Sequence, residues 1–134
     1  MRNSYFFYVL TLLFLSFSSC ETADCDGCTS DTIKLSKNKV MFNSSENSET
    51  IKTEGANWWI ASIIVDKNGI DLGDIDTTKK SFLIENDVFT FERQNGNEIF
   101  ISVSENQTNE ERIITFTLQS GNYHDGIRVV QSSN

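Results

Sequence analysis

The chain has 134 residues, with 19 acidic against 11 basic side chains. Removing residues 1–19 takes away Arg2 and leaves 115 residues at a formal charge of −9 with no Lys/Arg cluster along the sequence; that length suits one domain with a real core and does not fit two. A surface of this sign repels phosphate backbones, which argues against nucleic acid as a partner and leaves neutral sugars and proteins open.

The first segment reads as a leader. Arg2 supplies one positive charge, residues 5–17 form an apolar run, and Ser18 and Ser19 precede Cys20. This is the layout of a secretory signal, and the run is shorter than the roughly 18 to 20 residues a membrane-spanning helix needs. Ser18-Ser19-Cys20 resembles the lipobox of bacterial lipoproteins, with Phe17 standing where leucine is usual. The resemblance implies that Cys20 is diacylated and becomes the first mature residue, so that the chain meets a membrane through a lipid anchor. Each buried methylene of such an anchor adds about 0.8 kcal/mol of membrane affinity. An ordinary signal peptide, cut nearby and leaving a free thiol, is the competing reading. Residues 20–31 form an acidic tether, and Glu21-Thr-Ala-Asp-Cys-Asp26 loosely resembles the export signal that carries lipoproteins of the Bacteroidetes to the outside of the outer membrane. The competing reading there is a plain solvated tether.

Cys25 and Cys28 follow in an oxidising compartment, where a local disulfide between them is the natural expectation. A zinc site needs about four ligands, and His124 is the single imidazole of the chain; no metal and no cofactor are expected. A thioredoxin-like role is disfavoured because the Cys-Asp-Gly-Cys motif sits in a polar tether and not at the start of a helix.

Residues 32–134 read as strand after strand. Alternation predicts strands around Ile33 and Leu35, and over residues 39–42, 50–53, 59–65, 81–84, 88–93, 99–103, 114–118 and 127–131. Polar turns at 43–47, 67–69, 95–97, 105–109 and 121–122 separate them. No helix-period segment interrupts this pattern, so the expected class is all-β, an immunoglobulin-like two-sheet β-sandwich. The strand at 59–65 opens on adjacent tryptophans, which must face opposite ways if both are extended. Parity groups Trp59 with Ala61, Ile63 and Val65, and so predicts Trp59 in the core. Trp58, beside Asn57 at the strand mouth, is then expected to keep a ring face available, and this pair is the candidate glycan contact. The competing reading of Trp58 is a rim residue that caps the core.

Several of these stretches form a recognisable series. Thr53-Glu-Gly-Ala-Asn-Trp-Trp59, Phe89-Thr-Phe-Glu-Arg93, Ile99-Phe-Ile-Ser-Val103, Asn106-Gln-Thr108 with Arg112, and Gly121-Asn-Tyr123 with Ile127-Arg-Val-Val-Gln131 together resemble the BACON family (Bacteroidetes-associated carbohydrate-binding often N-terminal) over about residues 33–132. The resemblance implies a β-sandwich of cell-surface proteins, found beside sugar-degrading domains, with glycan or mucin binding as its role and a plain spacer as the competing role. Turn chemistry accounts for Asn106 and Asn109, since short amides hydrogen-bond local backbone. Arg112 is expected to pair with Glu110, Glu111 or a strand-end carbonyl, and residues 121–126 to form a hairpin connection.

Catalysis has no foothold here. Neither a nucleophile elbow nor a phosphate-cradling glycine loop is present, and the acidic loop at 66–76 lacks the EF-hand spacing and reads as a solvated loop. Asp31-Thr-Ile33 and Asp76-Thr-Thr78 resemble the Asp-Ser/Thr-apolar acceptor of bacterial O-glycosylation, which makes Thr32 and Thr77 candidate acceptors. The expected protein is therefore a non-enzymatic lipoprotein of the outer membrane, facing the cell exterior, whose partner is a glycan. Its alternative is an accessory, spacer or assembly lipoprotein that binds another surface protein. Replacing Cys20 with alanine is expected to abolish incorporation of labelled palmitate and to release the chain from membranes; a wild-type chain that takes up no label contradicts the anchor.

Overall fold

A computed structural model describes residues 29–134; the leader, Cys20, Cys25 and Cys28 lie outside the described residues. The alternation of apolar and polar residues is realised directly in strands β1 (Lys39–Phe42), β2 (Asn47–Lys52), β3 (Trp59–Val65), β4 (Asn68–Gly69), β5 (Phe82–Glu85), β6 (Phe89–Gln94), β7 (Glu98–Val103), β8 (Arg112–Ser120) and β9 (Tyr123–Gln131). These form two sheets, one of five strands in the order β1-β9-β8-β3-β4 and one of four in the order β2-β7-β6-β5. Strand β1 runs parallel to β9, and the other pairings are antiparallel. The result is the all-β, immunoglobulin-like sandwich that the sequence predicts, with the core between the sheets.

Inward-facing residues of β6, β7 and β8 fill that core in strict alternation. Phe116 is its centre: Phe89 meets it edge-on at 5.2 Å and Phe91 lies tilted at 5.0 Å, the separations at which aromatic rings attract. Ile51, Ile63, Ile99, Ile101, Ile114, Leu118, Ile127 and Val129 complete the packing.

Two local expectations are corrected. The predicted strand at Ile33 and Leu35 reduces to a single bridge between Leu35 and Thr53. Asp31 Oδ1 accepts the amides of Ile33 and Lys34 at 3.0 and 2.7 Å, and Lys34 has φ of 52°, so the chain turns where a strand would extend. Ile33 still reaches the core and is fully buried. The second correction concerns Asn68-Gly69, predicted as a turn but paired with Val65 and Ile64 as β4. The hairpin loop is instead Asp66-Lys67, with φ of 46° and 75°, both positive as a two-residue primed turn requires.

A third correction decides where the tryptophans point. In β3, Ile60 pairs with Leu118 and Ser62 with Thr117, so Ala61 is an extra residue, a β-bulge. A bulge resets the alternation. Ile60, Ile63 and Val65 therefore share the inner face with Leu118, Phe116 and Ile114, whereas Trp59, Ser62 and Ile64 stand opposite Gln119, Thr117 and Thr115 on the outer face. Trp58, with the parity of Ile60, turns inward and is only 2% exposed.

Trp58 is held there by a buried cation. The Arg93 guanidinium carbon sits 3.6 Å from the centroid of the indole. Arg93 is itself fully buried. It donates from Nε and Nη2 to the Gly96 carbonyl at 3.1 and 2.8 Å, from Nη1 to the carbonyls of Trp58 and Lys79 at 2.7 and 2.9 Å, and from Nη2 to that of Ala56 at 2.8 Å. Burial pushes its pKa down to about 10, still leaving it charged at neutral pH. The indole Nε1 donates to Thr53 Oγ1 and to the Gly55 carbonyl, each at 3.2 Å. Gly55 is required here by close approach, because a Cβ on it would lie 2.0 Å from the Thr32 carbonyl oxygen. Trp58→Ala and Arg93→Ala are each expected to lower stability in denaturant melts by about 3 to 5 kcal/mol, the first through a cavity and the second by removing the donors of the buried bonds to the Trp58 and Gly96 carbonyls and of the partly buried bond to Lys79. Trp59→Ala is expected to stay within about 1 kcal/mol; equal losses at Trp58 and Trp59 would contradict the assignment of faces.

Candidate functional site

The expected site, Trp58 with Asn57, does not assemble. The two Trp58 ring edges and faces are taken up by the core and Arg93, so Trp58 offers nothing to a ligand, which corrects its candidacy as a glycan contact. Asn57 is exposed, but its Oδ1 accepts from Lys80 Nζ at 2.9 Å, and the same ammonium also donates to the Ala56 carbonyl. Asn57 belongs to the loop that closes this end of the sandwich.

Of the two tryptophans, Trp59 is the partly exposed one. The register lays out three neighbouring rows on the outer face of the five-stranded sheet. Trp59, Gln119 and His124 form one; Ser62, Thr117 and Gly126 form the next; Ile64, Thr115, Arg128 and Lys39 form the third. The middle row carries only small residues, so the rows on either side stand higher, with the indole on one flank. Gln119 Nε2 donates to the Gly121 carbonyl at 2.9 Å, which leaves its amide oxygen as an acceptor beside Trp59. Beyond the third row, Ile64, Thr115 and Arg128 line a groove of about 770 Å³ whose other walls include Ile113, Lys67 and Glu111. Chemically this face combines an aromatic surface, hydroxyl groups and charges of both signs, with Lys39, Lys67 and Arg128 near the groove carboxylates of Asp66, Glu110 and Glu111, a set suited to binding and orienting a ligand.

The remaining residues singled out from the sequence are structural. Asn106 is fully buried and does more than shape a turn. Its Nδ2 donates to the carbonyls of Glu110 and Ser132 at 2.8 and 3.0 Å, and its Oδ1 accepts from the amide and hydroxyl of Thr108. Arg112 pairs with neither neighbouring glutamate; its Nη1 donates to the Ser104 carbonyl at 3.1 Å and to Gln131 Oε1 at 2.9 Å. Gln131 Nε2 in turn donates to the carbonyls of Ser44, Ser45 and Ser104, which closes the other end of the sandwich. Thr77 is 8% exposed and donates its hydroxyl to the Ile60 carbonyl at 3.2 Å. A hydroxyl held inside the fold is no acceptor for a sugar, so Thr77 is withdrawn as a glycosylation candidate, whereas Thr32 is exposed. In the acidic loop, Asp71 and Asp76 accept the amides of Gly73 and Thr78, and the Thr78 hydroxyl holds the Asp76 carboxyl below the usual range.

Sequence reasoning missed Arg93, Lys39 and Arg128. Arg93 was legible only as part of a strand end, although an arginine at an inward parity position is itself a signal of a buried cation. Lys39 and Arg128 lie far apart in the chain and are joined by the β1–β9 pairing alone.

No family model matches the chain, and no curated protein matches it. Among solved structures it is similar to a protein from Bacteroides thetaiotaomicron determined by NMR, at 23% identity and a TM-score of 0.64, over 86% of this chain and 98% of that one. That likeness bears on the fold. A match to the twitchin kinase region of C. elegans, at 9% identity and a TM-score of 0.38 over 76% of this chain and 16% of that one, is too distant to bear on this protein.

Proposed function

We propose that this chain is a lipid-anchored protein of the outer cell surface whose sandwich domain binds glycans through the outer face of the five-stranded sheet, with Trp59 as the stacking platform. The observation that carries the reading is the bulge at Ala61, which leaves Trp58 to the core and presents Trp59 beside a row of small residues, two of which, Ser62 and Thr117, carry hydroxyls. A sugar ring has an apolar C–H face and a rim of hydroxyls. The first packs on an indole, and the second exchanges hydrogen bonds with Ser62, Thr115, Thr117, the Gln119 amide oxygen and the His124 imidazole. The net negative charge, the lipobox-like Cys20 and the resemblance to BACON domains support the same reading. The protein then acts by holding a ligand at the surface, with no chemical step of its own.

An accessory role toward another protein is the second reading. It is favoured by Met41, which is 62% exposed on edge strand β1 beside Val130 and Ile113. A glycan array probed with the full chain separates the two. Binding is expected, with a loss of about tenfold or more, or roughly 1.4 kcal/mol, on Trp59→Ala at unchanged melting temperature. A folded chain that retains no glycan, or one whose binding is indifferent to Trp59, contradicts the proposal.

A further inference from the structure

The third row of the outer face holds two cations side by side. Lys39 of β1 and Arg128 of β9 are direct partners in the parallel register, both exposed. Like charges placed directly opposite each other on a sheet repel and destabilise the pairing. Relief would be easy in a chain with 19 acidic residues. Yet the ion pairs among the described residues are Lys34 with Glu54, Lys37 with Glu49 and Lys52 with Glu98. Among the described residues, neither Lys39 nor Arg128 has a carboxylate within the 4.0 Å of an ion pair, and neither side chain donates a hydrogen bond. Arg128 lines one groove with Asp66, Glu110 and Glu111, yet none of these carboxylates forms an ion pair with it, and Asp66 Oδ1 is taken by the Ile113 amide at 2.7 Å. A lysine on an edge strand serves to discourage strand addition. That explains Lys39 alone, since β9 lies inside the sheet between β1 and β8.

We propose that Lys39 and Arg128 receive an anionic group, a carboxylate or a sulfate, on the same glycan that stacks on Trp59, so that the ligand is an acidic oligosaccharide. The inference rests on the glycan reading above and names its substrate class. Four residues along β8 and two strands across separate the positions of Trp59 and Arg128, about 17 Å between backbones at roughly 3.4 Å per residue and 4.8 Å per strand. Both side chains are long and shorten that span, and the small residues Thr117 and Gly126 lie between them. A short oligosaccharide bridges the two. The guanidinium fork binds a carboxylate or sulfate in a bidentate manner, and Lys39 adds a point charge beside it.

The test uses the full chain in detergent and two matched pairs of probes: an oligogalacturonide against its methyl-esterified form, and a sulfated galactan oligosaccharide against its desulfated form. Each pair keeps the sugar rings and removes the charge. The charged member of at least one pair is expected to bind about tenfold tighter at low salt, with the preference fading as salt rises. The pair that shows the preference tells carboxylate from sulfate. In the doubly substituted Lys39→Gln, Arg128→Gln chain the charged-to-uncharged ratio is expected to fall to about one, with the melting temperature held or raised because the repulsion is gone. Trp59→Ala weakens both members of a pair alike. A ratio of one in the wild-type chain, or a preference that survives the double substitution, overturns the anion assignment while the glycan reading stands. A double variant that loses melting temperature and keeps its charge preference shows the pair to be structural cover and overturns it too. Failure of the folded wild-type chain to bind any charged or neutral glycan overturns the glycan reading itself, and this assignment with it.

Discussion

The buried guanidinium of Arg93 is the interaction on which the arrangement of this end of the sandwich depends. A cation removed from water with no carboxylate beside it carries a large desolvation cost, and only dense hydrogen bonding offsets that cost. Arg93 meets the condition by donating to the carbonyls of Ala56, Trp58, Lys79 and Gly96, while the Trp58 indole lies against its plane. Those carbonyls belong to three separate segments, the approach to β3, the approach to β5 and the β6–β7 hairpin. One side chain therefore fixes three connections. A lysine in the same place would present a single point of charge and could not span them, because the planar fork is what matches several acceptors at once.

Fixing the approach to β3 has a consequence on the opposite face of the sheet. With Trp58 drawn under Arg93, the strand enters with Ile60 inward, and the bulge at Ala61 then lets Ile63 and Val65 point inward as well. The outer face receives Trp59, Ser62 and Ile64. The internal cation thus sets which of two adjacent indoles reaches the outside, and so places the aromatic of the proposed glycan surface. At the other end of the same face, the β1–β9 pairing brings together two cations that the sequence keeps far apart. On a chain that is acidic overall, Lys39 and Arg128 form a local basic spot on the sheet face that also carries the outward tryptophan, so any attraction for an anion there is short-ranged and acts against the net charge.

Much of the fold was legible because β6, β7 and β8 alternate over most of their length, Arg93 being the charged residue at an inward position, and alternation is a direct image of a sheet with one buried face. What was lost follows from places where that image is blurred. Residues 60–65 are apolar on both parities, so nothing in the pattern marks the extra residue at Ala61, and simple parity sends Trp59 the wrong way. Asn68-Gly69 has the composition of a turn, but the preceding Asp66-Lys67 takes the two positive φ values, and Asp66 secures that choice by accepting the Ile113 amide. Thr77 sits in a sequence that looks like an exposed loop, yet it covers the β3 edge and satisfies the Ile60 carbonyl. Lys39 and Arg128 are unremarkable singly, and long-range register alone makes them a pair.

Acrylamide quenching of tryptophan fluorescence in two single-tryptophan chains, Trp58→Phe and Trp59→Phe, tests the central assignment most directly. Phenylalanine keeps an aromatic ring at each position, so both chains are expected to fold. The Trp58→Phe chain, which retains Trp59, should be quenched readily and should be shielded when a bound glycan is added, whereas the Trp59→Phe chain, which retains the Trp58 buried under Arg93, should resist quenching in either condition. Ready quenching of Trp58 together with a shielded Trp59 would contradict the account.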